Sequence, residues 1–127
     1  MADIPRPTDA ELAILRVLWQ RGPATVKEVH AELAGRAPTV YTTTLKLLQI
    51  MTEKGLVELD EEQRAHLYRA RLREEQTQTQ LVGDLLDRAF DGSASRLVLR
   101  ALSSRPASAE ELAEIRGLLD RLEGETR

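Results

Sequence analysis

A single change of hydrophobic period, at Gly55, organises the first 70 residues. Before it, apolar residues recur at helical spacing in three short segments, each with start and stop signals. Thr8-Asp9-Ala10-Glu11 is a capping box, in which the threonine hydroxyl accepts from a first-turn amide and the glutamate reaches back. Behind it Leu12, Leu15, Leu18 and Trp19 share a face, and Arg21-Gly22-Pro23 stops the helix. A second box, Thr25-Val26-Lys27-Glu28, opens a helix with Val26, Val29 and Leu33 on one side, closed by Gly35 and Pro38. The third helix is predicted from Thr39 to Lys54. Its inner side holds Val40, Leu47, Leu48 and Met51, with Thr44 in the same stripe, and Gly55 lies just past its end. Beyond Gly55, Leu56, Val57 and Leu59 lead into the polar run Asp60–Arg64, and His66, Leu67, Tyr68 and Arg69 return. This is a β-hairpin, and the lack of Gly or Pro at its tip calls for a loop longer than two residues.

From Glu74 the chain reads as helix. One segment spans 74–90, with Leu81, Val82, Leu85, Leu86, Ala89 and Phe90 inward, and Asp91-Gly92-Ser93 breaks it. A short helix at 94–103 carries Leu97, Val98, Ala101 and Leu102. After Arg105-Pro106, Ser108 and Glu111 frame a third box before Leu112, Ile115, Leu119 and Leu122. The fold class is thus mainly α with a small β-hairpin. Three helices and a hairpin in this order are those of a winged helix-turn-helix, which assigns 1–72 to that domain and 73–127 to a helical region. A stretch of about 50 residues seldom encloses a sufficient core alone. Its expected partner is a second copy, with Leu85, Leu86, Leu112, Ile115 and Leu119 in the shared core.

Composition removes several function classes. The 127 residues include no cysteine, which excludes disulfides, thiol catalysis, iron–sulfur clusters and Cys-based zinc sites. The two histidines, His30 and His66, make a zinc site improbable, and neither a cofactor nor a metal is expected. No Gly-rich phosphate loop, nucleophile elbow or His-Glu-x-x-His motif supports catalysis, so the chain reads as no enzyme. Aromatic residues are 3%, too few for a platform that stacks single-stranded bases. No apolar run approaches the ~20 residues that span a bilayer. The start lacks the basic and apolar regions of a signal peptide, so a cytoplasmic location without membrane insertion is expected.

Net charge is −3, spread evenly: 9 basic and 10 acidic residues in 1–70, 9 and 11 in 71–127. Bulk charge therefore gives no sign of nucleic-acid binding, and only local placement can. A helix fits the major groove of duplex DNA, with residues near its N-terminus reaching base edges. The outer face of the third helix shows Tyr41, Thr42, Thr43, Lys46 and Gln49, and its first acid is Glu53, at the far end. Thr42, Thr43 and Lys46 are the candidates for base reading or phosphate anchoring. Thr43 has a local alternative, a hydroxyl bonded back to its own helix. Tyr41 either joins them or wedges into the core. Thr39 is placed to cap the helix and meet a phosphate, whereas Gln49 suits a solvated position. Arg64, at the wing tip, suits a phosphate or minor-groove contact, although Asp60, Glu61 and Glu62 would repel the backbone if they faced it. His66 is placed on the returning strand, beside a cross-strand neighbour. The competing class is a winged-helix module that binds a protein partner and no DNA.

The string Val40-Tyr41-Thr42-Thr43-Thr44-Leu45-Lys46-Leu47-Leu48-Gln49, followed by Glu53-Lys54-Gly55-Leu56-Val57, resembles the recognition-helix signature of the penicillinase repressor (BlaI/MecI) family. Leu12 through Trp19 is similar to that family's first helix, Thr25–Val29 to its second, and Arg64-Ala65-His66-x-Tyr68 to its wing. The similarity continues through the C-terminal helices. The resemblance implies a dimeric transcriptional repressor whose winged helices bind an inverted-repeat operator in double-stranded DNA and whose C-terminal helices dimerise. Where relatives often carry Thr and then Arg on the recognition helix, this chain has Lys46 and Ile50, which implies different base preferences. Copper-responsive relatives carry a C-terminal cysteine cluster, and this chain has none. The penicillinase-type branch is derepressed when a membrane sensor protease cuts the dimerisation region. Residue-by-residue matching puts that bond at Arg100–Ala101, although penicillinase-type relatives have a different residue pair there.

Overall fold

A computed structural model describes residues 4–62 and 64–126. Three helices come first: α1 (Asp9–Arg21), α2 (Val26–Ala34) and α3 (Tyr41–Lys54). The strands β1 (Val57–Asp60) and β2 (Leu67–Ala70) follow, then α4 (Glu74–Ala89), α5 (Ala94–Ser104) and α6 (Ala109–Glu125). All three capping boxes form, at Thr8/Glu11, Thr25/Glu28 and Ser108/Glu111. In the first, the Thr8 amide donates to Glu11 Oε1 at 2.8 Å and the Glu11 amide donates to Thr8 Oγ1 at 3.2 Å. Gly55 takes the left-handed conformation, φ +84° and ψ +18°, that lets α3 end and β1 begin within two residues.

The start of α3 differs from the expectation. The helix begins at Tyr41, and Val40 rather than Thr39 holds the N-cap position, with no side-chain cap. Val40 is also 62% exposed and no part of the inner stripe. The reason is geometric: an N-cap residue has extended backbone, at φ −109° and ψ 151°, so it lies outside the helical period that would have turned it inward.

Contacts divide the chain into two units, residues 1–83 and 84–127. The first has a closed core of Ile14, Leu15, Val17, Leu18, Ala24, Val29, Leu48, Met51, Leu56, Val57 and Tyr68. The hairpin pairs antiparallel, with Glu58 opposite Arg69 and Leu59 opposite Tyr68. A reciprocal pair of backbone bonds between Ala24 and Tyr68, at 2.9 and 2.8 Å, ties the α1–α2 connection to β2. The division falls within α4, whereas the sequence pattern put it at 72/73. The Trp19 indole donates to the Leu72 carbonyl at 3.0 Å, Thr77 is fully buried and the Gln80 amide donates to the Ile4 carbonyl. The first turns of α4 thus pack with the winged helix.

The second unit is different in kind. None of its described residues is fully buried. Leu85, Val98, Leu99, Leu102, Leu118, Leu119 and Leu122 are all exposed, and an apolar groove lies between α5 and α6.

Candidate nucleic-acid interface

The α3 helix is held against the domain along one side and open along the other. Thr44, Leu48 and Met51 are buried at helical spacing, with Leu47 partly so. Tyr41, Thr42, Thr43, Lys46, Gln49 and Ile50 form the opposite, exposed side. Tyr41 is 46% exposed, so the core alternative for its ring is not realised. Thr39, half-buried, sits one residue before the cap. No acidic side chain lies in the first turn of α3.

Two residues of other elements, His30 and Glu11, set the helix at its two ends. At the N-terminal end, His30 of α2 places Nδ1 3.1 Å from the Thr44 hydroxyl and meets the Tyr41 ring edge-on, with centroids 5.7 Å apart and planes at 78°. At the C-terminal end, Lys54 Nζ lies 2.6 Å from Glu11 Oε1. Burial alone would raise the Glu11 carboxyl, but the Lys54 ammonium and the Thr8 amide outweigh it and hold the group below the usual carboxylate range. Lys54 is therefore occupied in holding α3 to the start of α1. Lys46 projects from the outer face.

His30 has a role that the sequence reading missed. The stripe Val26, Val29, Leu33 already places position 30 on the same face, at i+4 from Val26 and i−3 from Leu33. That spacing was the available signal.

The wing presents Arg64 exposed in the loop between β1 and β2. Of the three acids before it, Asp60 turns into the loop and accepts from the Glu62 amide at 3.0 Å, while Glu61 and Glu62 are exposed. His66 lies one residue before β2 rather than on it, because pairing ends at Asp60 opposite Leu67. Arg69 is committed across the strands to Glu58 at 3.2 Å. Burial, with Tyr41 and Glu61 nearby, pushes the Tyr68 phenol up, consistent with a neutral core residue.

The remaining predicted residues lie in the second unit. Leu86, Leu112 and Ile115 are half-buried, and Leu85 and Leu119 are about half exposed, at 49% and 51%. Arg100 and Ala101 are exposed on α5, in the middle of regular helix.

Comparison with known proteins resolves the ancestry. The penicillinase repressor family model matches residues 7–121. The chain belongs to the penicillinase repressor family. This is a family of transcriptional repressors and not of enzymes. Over 124 residues the repressor-family chain is 33% identical to the transcriptional regulator BlaI of Mycobacterium tuberculosis, covering 97% of this chain and 89% of that one. It is 27% identical over 120 residues to the penicillinase repressor of Bacillus licheniformis, covering 94% of each. Among solved structures, monomeric Bacillus licheniformis BlaI in complex with the blaP half-operator matches with a TM-score of 0.52 and 28% identity, over 59% of this chain and 92% of that one. The DNA-binding domain of the repressor BlaI matches at 0.51 and 28%, over 58% and 90%.

Proposed function

We propose that this penicillinase repressor family member acts as a cytoplasmic homodimer on an inverted-repeat operator in duplex DNA. The observation that carries this reading is the outer face of α3. It bears Tyr41, Thr42, Thr43 and Lys46, carries no acid in its first turn, and belongs to a domain similar to one solved on a half-operator. Thr42, Thr43 and Lys46 read bases or anchor phosphates, Tyr41 and Thr39 flank them, and Arg64 approaches a phosphate or the minor groove.

The C-terminal helices supply the dimer. The apolar side chains that α5 and α6 leave uncovered are what a second copy would bury, with Leu85, Leu86, Leu112, Ile115 and Leu119 at the seam. Two-fold symmetry then matches two recognition helices to two half-sites. Repression is relieved when a membrane sensor protease cuts α5 at Arg100–Ala101. The exposure of that bond favours attack, and its helical geometry requires local opening first.

The test is binding to duplex DNA across a salt series. A repressor loses affinity steeply as salt rises, because each phosphate contact releases counterions. A module built for a protein partner shows no salt-dependent retention on DNA, and that result would overturn the reading.

A further inference from the structure

The recognition side of α3 has an unusual chemistry for a major-groove reader. The helix contains no arginine, and Lys46 is the one cation on its outer face. Around Lys46 stand the methyl-bearing Thr42 and Thr43, the amide of Gln49 and the apolar Ile50, 36% exposed. Beyond the N-terminal end stands Val40, at 62% one of the most exposed large apolar side chains of the chain, beside Tyr41. Guanine is read most often by bidentate Arg or Lys, whereas thymine offers a C5-methyl group to apolar side chains. The balance of groups here favours thymine.

We propose that Val40 is a specificity-determining residue, packing with Tyr41 against a thymine methyl group in the major groove. This deepens the DNA-binding reading above and rests on it. Position is the first support, because N-terminal residues of a recognition helix are those that reach base edges. The second is that folding gains little from valine at this site. The side chain touches no core, and valine is among the poorest N-cap residues. By contrast, α1, α2, α5 and α6 each start behind a Thr or Ser whose hydroxyl accepts from the first turn. The third is rigidity. His30 braces the Tyr41 ring edge-on and holds Thr44, so the turn that carries Val40 is fixed from the domain side. A fixed apolar group discriminates the presence of one methyl better than a mobile one.

The experiment uses the full chain and a duplex enriched from a random pool by that chain. Each thymine of the half-site is replaced in turn by deoxyuridine, which deletes the methyl and preserves the base pair. One replacement should weaken wild-type binding about fourfold, the effect of uncovering one buried methylene-sized group. In Val40→Ser the loss on deoxyuridine replacement should shrink to what Tyr41 alone supports, with an unchanged salt slope. Its thermal midpoint should equal or exceed that of the wild type, since serine restores a helix cap. The proposal is overturned if the wild type binds every deoxyuridine duplex as tightly as the parent, or if Val40→Ser keeps the wild-type loss. A chain that retains no duplex at all at low salt overturns the DNA-binding reading, and this proposal with it.

Discussion

At the scale of single residues, the two lysines of α3 show how similar side chains come to do different work. Lys54 sits 2.6 Å from a buried carboxylate, so its charge is spent within the domain. Lys46 points out of the same helix two turns earlier, with hydroxyls and an amide around it. Lys46→Ala should therefore weaken operator binding while leaving the melting temperature of the domain unchanged. A loss of about 1–3 kcal/mol confined to one base position indicates a bidentate base contact. A uniform loss across sequences, with the salt slope smaller by about one, indicates a phosphate contact. Titration of the variant against an operator series at two salt concentrations separates these outcomes, and no change in either quantity removes Lys46 from the interface.

At the scale of elements, the joint between α1 and α3 depends on one carboxylate. Glu11 closes the α1 capping box and pairs with Lys54; its charge strengthens the first interaction and is required by the second. Its carboxyl lies below the ordinary glutamate value, so the unfolded chain binds the proton more readily. The stabilisation is thus complete above about pH 4.3 and disappears as pH falls through the lower folded value. Glu28, which closes the α2 box with Thr25 and meets Arg21, shifts in the same direction. Glu11→Gln should cost about 1–3 kcal/mol at neutral pH, and its gap to the wild type should shrink in acid. Urea midpoints from pH 7 to about pH 3 measure this, and a gap independent of pH would contradict it. The capping boxes were legible in the sequence because donor and acceptor stand three residues apart, with no tertiary information needed. The start of α3 was not. Val40 continues the apolar spacing on paper, but its extended backbone removes it from the helix. The His30–Thr44 bond joins α2 to α3, so only the helical phase of His30 hinted at it. The Lys54–Glu11 pair, 43 residues apart, left no local signal.

At the scale of the whole molecule, the contrast between the two units is what the proposed dimerisation and its relief rest on. The first unit closes a core within one chain, and the second leaves its leucines uncovered. If those leucines meet a second copy, Ile115→Asp places an unpaired charge at the seam and should yield monomers. Light scattering at micromolar protein should show the change of mass, while the melting of the winged-helix unit persists. Wild-type mass at every concentration would contradict it. Under the same proposal α5 is the lever. It joins α4 to α6, so one cut at Arg100–Ala101 separates α6 covalently from the DNA-reading domain. A monomer grips one half-site and loses the effective concentration that linkage of two recognition helices supplies, a factor on the order of 10²–10⁴ in affinity. The prediction is tested on a full-length chain with a specific protease site inserted at 100–101. Before cutting it should bind the complete operator as the wild type does. After cutting it should fall to half-site affinity, with no further loss on a single half-site duplex, because the winged helix is intact. A nicked protein that stays dimeric and holds the full operator as before would show that α6 remains docked without its covalent link, and that relief of repression acts elsewhere.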